Sequence, residues 1–248
     1  VRELAFMELS IVIPSYNEGE HIYDNLMEMA SDIEAFCTDY ELVPVNDGSK
    51  DNTASEINRA AQAHPHIHPV SYEDNRGKGQ AVKAGVLASS GKYIGFLDAD
   101  LDLSAKHFDA FLKRIKSETE PCNVVIGSKM HKDSKLDYPP IRKLFSFSFY
   151  VILKVLFGMR CKDTQTGVKL FDGALIKDIV SKQRVKGYAF DVEQLALASH
   201  SKGVIAEMPI VLEYRRGESF GRIKMKDIWK MFSDTVGVWW NLRMKKNY

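Results

Sequence analysis

The stretch YIGFLDADLD, residues 93–102, runs from an apolar segment straight into three carboxylates spaced two apart, Asp98, Asp100 and Asp102. A short apolar run bounded by polar residues reads as a buried strand. If the backbone stays extended past Leu97, the three acids point to one side and repel each other. A proton, a neighbouring arginine or a divalent cation would relieve that repulsion, and clustered hard oxygens suit Mg or Mn with phosphate completing the shell. A solvated Asp-rich turn is the plain alternative.

Working outward, LSIVIP (9–14), ELVPVN (41–46) and HPVSY (68–72) read as further short strands, separated by helical patterns. This βαβα order implies a largely parallel sheet covered by helices on both faces. In such sheets ligands bind beyond the carboxyl ends of the strands, and the polar loops SYNEGE, NDGSKDNT, DNRGKG and DADLD all fall there. Downstream come a helix over 105–116, a strand over 123–128, a basic and aromatic stretch over 130–159, two more helices after DTQTGVKLF (163–171), a β segment over 204–214 and a final amphipathic helix. In that helix Ile228, Phe232, Val236 and Trp239 recur at helical spacing among Lys226, Lys230, Arg243, Lys245 and Lys246. Without internal repeats or a linker, the sequence reads as one domain over 1–248, with a ligand-binding half (1–104) and a C-terminal elaboration (105–248).

With 45% hydrophobic residues and a formal net charge of +1, the 248-residue chain is neither disordered nor a globally basic nucleic-acid binder. Cys37, Cys122 and Cys161 match no metal or disulfide spacing, which suggests a reducing, cytosolic setting. The N-terminal residues show no signal-peptide pattern, so the chain is expected to begin in the cytosol. The most apolar stretch, LFSFSFYVILKVLFGM (144–159), is interrupted by Ser146, Ser148 and Lys154 and falls short of the ~20 residues that span a bilayer. Charge is uneven: 129–160 carries seven basic residues against two acidic, and 213–248 nine against four, so the basic surface lies in the second half beside the aromatics.

Among the motifs, NRGKGQAVKAG (75–85) fits neither a P-loop nor a dinucleotide fingerprint, but a helix starting near Gly79 would offer free N–H groups to an anion, with Arg76 and Lys78 beside it. Asp47, at the end of a buried strand, has no evident structural task and could accept hydrogen bonds from a base or ribose. His64, His66 and His68 alternate as on a strand entry and lack the partners of a metal site. Asp191 stands three residues before Gln194, a capping-box spacing, whereas Glu193 calls for exposure or a role at the acceptor end of the cleft.

Taken in order, IVIPSYNEGEHI (11–22), VNDGSKDNT (45–53), NRGKGQAVKAG and FLDADLD resemble family 2 glycosyltransferases of the GT-A fold. The likeness continues through GSK (127–129), DTQTGVKLF and AFDVE (189–193) to EYRRGES (213–219), nearly the whole chain. The second half is similar to polyprenyl-phosphate sugar synthases, closer to dolichyl-phosphate glucosyltransferases than to the mannose synthases.

This resemblance implies an inverting, metal-dependent hexosyltransferase that uses Mg or Mn, with UDP-glucose favoured over GDP-mannose as donor and a polyprenyl phosphate as acceptor. Pro14, Tyr16, Glu18 and Lys78 would meet the nucleotide and Asp47 its base. Asp98 and Asp100 would form the acidic motif for ribose and metal, with Asp102 as a further metal ligand. Lys129, Arg142 and Arg215, or Arg216 or Arg222 in place of the last, would grip the acceptor phosphate, Arg142 and Arg215 together with the acidic motif forming the catalytic set. An ionised phosphate acceptor needs no general base. Phe145, Phe147, Phe149, Tyr150, Trp239 and Trp240 would meet a membrane at its cytoplasmic face, where a membrane-protein partner is possible. The rival readings are a glycosyltransferase with a hydroxyl acceptor, which would need a carboxylate base, and a non-catalytic nucleotide-sugar-binding scaffold.

Overall fold

The computed structural model describes residues 7–136, 140–159, 161–213, 225–245 and 248, giving 136, 140–148 and 225–228 as backbone alone. The first half alternates as expected: β1 (Leu9–Ser15), α1 (Ile22–Glu34), β2 (Tyr40–Asp47), α2 (Thr53–Ala63), β3 (Val70–Tyr72), α3 (Lys78–Ala88), β4 (Tyr93–Leu97) and α4 (His107–Ile115). Then follow β5 (Val124–Ser128), β6 (Lys135–Leu136), α5 (Pro140–Phe157), β7 (Val168–Asp172), α6 (Gly173–Lys182), α7 (Phe190–His200), β8 (Ile205–Pro209), β9 (Val211–Leu212) and α8 (Met225–Trp240), continued by a π-helical turn over Asn241–Lys245.

Seven strands form one sheet in the order β3-β2-β1-β4-β7-β5-β8, and β6 pairs with β9 in a small second one. The large sheet is parallel except for β7, which runs antiparallel to both β4 and β5. The sequence reading gave VKLF no strand; its apolar residues look like those of any buried segment, and only pairing distinguishes an inserted antiparallel strand.

Both faces of the sheet are covered, which explains the uninterrupted apolar runs. Along β1, Ile11 and Ile13 pack with Leu26, Met29 and Phe108 on one side. Val12 points the other way, into a layer with Val43, Val82, Phe96 and Phe171. α7 joins that second layer and is buried over all of 190–198. All three cysteines are buried, and burial pushes the Cys161 thiol up to about 12, so it is inert at neutral pH. No helix among the described residues is long and apolar enough to cross a membrane.

Two glycines should respond oppositely to alanine. A Cβ on Gly85 in α3 would lie 2.3 Å from Val12 Cγ1 and 3.0 Å from Val45 Cγ2, whereas one on Gly237 in α8 meets nothing within 4 Å. In a helix interior Ala is favoured over Gly by up to ~1 kcal/mol, but overpacking a core costs about 1–3 kcal/mol. Urea melts should therefore show Gly85→Ala less stable than the parent and Gly237→Ala more stable.

Candidate active site

At the carboxyl edge of the sheet, the loops after the first strands are stitched to one another. Asn17 N–H donates to Ser49 Oγ (3.0 Å), Glu18 N–H to Thr53 Oγ1 (2.8 Å) and Gly19 N–H to Asp51 Oδ2 (3.0 Å). Lys50 N–H returns to Asn17 Oδ1 at 2.9 Å. Asp47, 3% exposed, accepts from Tyr72 Oη (2.7 Å), Asn75 Nδ2 (3.1 Å), Arg76 N–H (2.8 Å) and Gly77 N–H (2.9 Å). It does have a structural task, contrary to the sequence reading: it fixes the turn that launches α3. Its donors come from a loop about thirty residues downstream, which spacing alone cannot reveal.

The acids of DADLD do not stay on one extended face. The strand ends at Leu97 and the chain turns, with Leu101 in the left-handed region (φ 56°) and Asp102 N–H donating to Asp100 Oδ1 at 3.3 Å. Asp98 Oδ1 lies 2.6 Å from Lys78 Nζ, each side chain about a third exposed. Burial pulls the Lys78 ammonium down, but Asp98, Asp191 and Asp100 outweigh it and the net shift is upward. Burial, then the charges of Asp98 and Asp102, push Asp100 up to about 6.

Opposite this turn, the antiparallel β7 delivers what the sequence reading did not single out. Lys169, 2% exposed, places Nζ 2.5 Å from Asp191 Oδ1 and 2.6 Å from Thr166 O. Gly167 sits so close to Asp98 that a Cβ would fall 2.3 Å from Asp98 Oδ2. Pro14, Lys78, Asp98, Thr166, Lys169 and Asp191 thus line one shallow cleft. The hydroxyl of Thr166, in the cleft lining, is buried without a partner among the described residues, so a ligand or water entering the cleft would find it available. A lysine inside an apolar strand was the one sequence signal for this group.

Three expectations need correction. The N-terminus of α3 offers no ready anion site at its second and third residues, since Gly79 and Gln80 N–H both donate to Lys186 O, at 2.8 and 3.3 Å. Asp191 is not part of a capping box: the helix is preceded by Ala189 without side-chain capping, and Asp191 faces Lys169. Burial pushes its carboxyl up against the pull of Lys169 and Lys78. Glu193 is fully buried rather than exposed, its carboxylate accepting from Arg184 N–H, Val185 N–H and Tyr248 Oη.

Tyr16, in the loop after β1, is 45% exposed. Lys129 leans on Asp163, through its N–H at 2.8 Å and its Nζ at 3.5 Å. Arg142 lies in α5 where only backbone is described, and Arg215, Arg216 and Arg222 lie outside the described residues. Among the described residues no group of three or more His, Cys, Asp or Glu could hold a metal ion by itself. With Asp98 tied to Lys78, Asp100 and Asp102 still fit Mg or Mn if a diphosphate and water supply the other ligands, and the repulsion that lifts Asp100 is what a cation would relieve. Such a cation would neutralise charge on a leaving diphosphate.

The Asp100 shift makes a signed prediction. An acid whose folded pKa of about 6 exceeds its ordinary 3.8 binds its proton more tightly when folded. Its ionisation therefore opposes folding; the penalty is absent below about 3.8, grows as pH rises and is complete above about 6, at about 3 kcal/mol. In chelator, Asp100→Asn should raise the unfolding free energy at pH 7.5, and the gain should shrink towards pH 4, as measured by urea titration.

The comparisons with known proteins bear on the whole chain. Residues 10–183 match the family model described as Glycosyl transferase family 2. The dolichyl-phosphate beta-glucosyltransferase ALG5C of Trichomonas vaginalis is 34% identical over 92% of this chain and 70% of its own length. The dolichyl-phosphate beta-glucosyltransferase of Saccharomyces cerevisiae is 36% identical over 82% of this chain and 66% of its own, and the human one 32% over the same shares. Among solved structures, the Mycobacterium tuberculosis glucosyl-3-phosphoglycerate synthase in complex with Mn2+, UDP and glucosyl-3-phosphoglycerate superposes with a TM-score of 0.70 at 18% identity, over 96% of this chain and 80% of that one, a likeness of fold. The expected GT-A architecture is thus found, and the chain belongs to glycosyltransferase family 2.

Proposed function

We propose that this glycosyltransferase moves glucose from UDP-glucose to a polyprenyl phosphate of the dolichyl type, with inversion; Asp100 and Asp102 would hold a divalent cation, which would supply charge neutralisation for the leaving diphosphate. The names of its relatives support the sugar and the acceptor class. The observation that carries the reading is that both acids suited to be a general base are already engaged. Asp191 is tied to Lys169 at 2.5 Å, and Glu193 accepts from two backbone N–H groups and a tyrosine. A hydroxyl acceptor would need one of them released; a phosphate monoester, with a second pKa of roughly 6, arrives ionised. One of its oxygens attacks the anomeric carbon with its own electron pair, the bond to the nucleotide breaks towards the diphosphate, and no proton changes hands. Pro14, Tyr16, Glu18, Asp47 and Lys78 would seat the nucleotide, with Lys129, Arg142 and Arg215 or Arg222 on the acceptor phosphate.

A lipid acceptor also gives the C-terminal helix a purpose. Trp229, Phe232, Val236 and Trp240 form an exposed stripe at helical spacing, Trp229 being 70% exposed, while Thr235, Val238 and Leu242 face inward. Of the stripe expected from sequence, Phe232 and Val236 thus look outward and Trp239 is half-buried. On α5, Val155 is 79% exposed. With the basic residues of both segments, these faces suit a peripheral seat on the cytoplasmic leaflet.

Labelled UDP-glucose should pass its label to polyprenyl phosphate and not to polyprenol, in Mg or Mn and not in chelator, with Asp100→Asn reducing the rate about a hundredfold. The rate should rise through the acceptor's second ionisation near ~6 and stay flat above it. Transfer to polyprenol would instead make Asp191 a base and sink the reading. Separately, Trp229→Ser with Trp240→Ser should weaken sedimentation with anionic vesicles about tenfold.

A further inference from the structure

We infer that Glu193 is a positioning residue that joins the segment following α8 to the donor side of the cleft. A carboxylate at 0% exposure in a helix buried over 190–198 is tolerable only when its oxygens are satisfied, and among the described residues the donors to Glu193 side-chain oxygens come from other segments. Arg184 N–H reaches both oxygens, at 3.0 and 3.1 Å, and Val185 N–H donates at 2.8 Å. Those two residues belong to the strap 183–187 between α6 and α7. A third donor is the hydroxyl of Tyr248, at 2.6 Å, with the Arg184 guanidinium 5.1 Å over the centre of the tyrosine ring.

The strap in turn holds the start of α3. Lys186 O accepts from Gly79 and Gln80 N–H. A Cβ on Gly77 or Gly79 would come within 2.7 or 2.9 Å of that oxygen, so only glycine lets the two backbones meet. Gln183 adds a second tie, donating to Gly79 O at 2.9 Å while accepting from Gln194 Nε2 at 2.8 Å. α3 begins with Lys78, the residue on Asp98. A continuous line of bonds therefore runs from Tyr248 through Glu193, the strap and the first turn of α3 to the acidic motif.

Beside the Tyr248–Glu193 bond, the latch of this line, lies a cavity of about 390 Å³ lined by His200, Leu242, Arg243 and Tyr248, while the tyrosine ring packs against the second core layer. α8 carries the exposed aromatic stripe and leads directly into this segment. On the proposed reading that the stripe meets lipid, the latch would let seating on a membrane stiffen the donor site.

Hydrogen exchange in the ligand-free chain tests the linkage without reference to activity, and Tyr248→Phe removes one hydroxyl while leaving the fold's interior intact. The expected result is exchange about fivefold faster at 184–187 and at Gly79 and Gln80, with β1 and β2 unchanged. With UDP-glucose as donor, KM should rise about fivefold while kcat stays within about twofold, and Glu193→Gln should do the same more strongly. Exchange that quickens only around residue 248, or evenly across the sheet, would overturn the proposal and leave Glu193 a purely structural acid. Should UDP-glucose prove not to be the donor, the exchange pattern would still decide, so the two readings fail separately.

Discussion

The contact between Lys78 and Asp98 is the constraint around which the rest of the cleft is arranged. A parallel sheet gathers the ends of its strands at one edge, and here that edge collects Asp98, Asp100 and, from α7, Asp191. Left alone, these acids would repel each other and raise one another's pKa. Lys78 comes from the start of α3 and Lys169 from β7, one cation on each flank. The antiparallel strand is therefore more than filler in the sheet: its direction brings Lys169 to face α7, and the glycine just before it lets the backbone close on Asp98.

The second feature is stiffness. The loops after β1 and β2 hold each other through Asn17, Ser49, Asp51 and Thr53, and Asp47 locks the turn before α3. Side chains fixed in this way do not have to be ordered when a ligand binds, which lowers the cost of binding and keeps donors aimed where charge develops. The opening acids of the sequence look like a solvated turn only until their partners are seen.

What could be read from the chain and what could not follow a physical line. β4 was legible to the residue because a strand buried on both faces is an apolar run with sharp polar ends, and β1, β2 and the helix after DADLD were nearly so. Pro14, Lys78 and Asp98, which line one cleft, stood out in the sequence because each lies in or beside a loop at the carboxyl end of a parallel strand. Lys169 escaped because its meaning depends on Asp191, 22 residues away, and on a strand direction that sequence does not encode. Asp191 and Glu193 were misjudged for the same reason: local spacing suggested a cap and a free acid, whereas long-range partners engage both.

Burying Lys169 against Asp191 is not an efficient way to stabilise a protein, since two apolar residues of the same volume would often do as well or better. Its place in a site already crowded with acids therefore argues for electrostatic work. Asp98, Asp100, Asp102 and Asp191 set against Lys78 and Lys169 leave this edge of the sheet two charges short of neutral. On the proposed reading, a divalent cation on Asp100 and Asp102 would cancel that negative balance, so that a diphosphate on one side and an ionised acceptor on the other meet no net repulsion. Removing Lys169 would make the balance negative again and leave the buried Asp191 carboxylate without its nearest cation. The pair thus makes most sense in a site that selects for an acceptor already carrying its own charge.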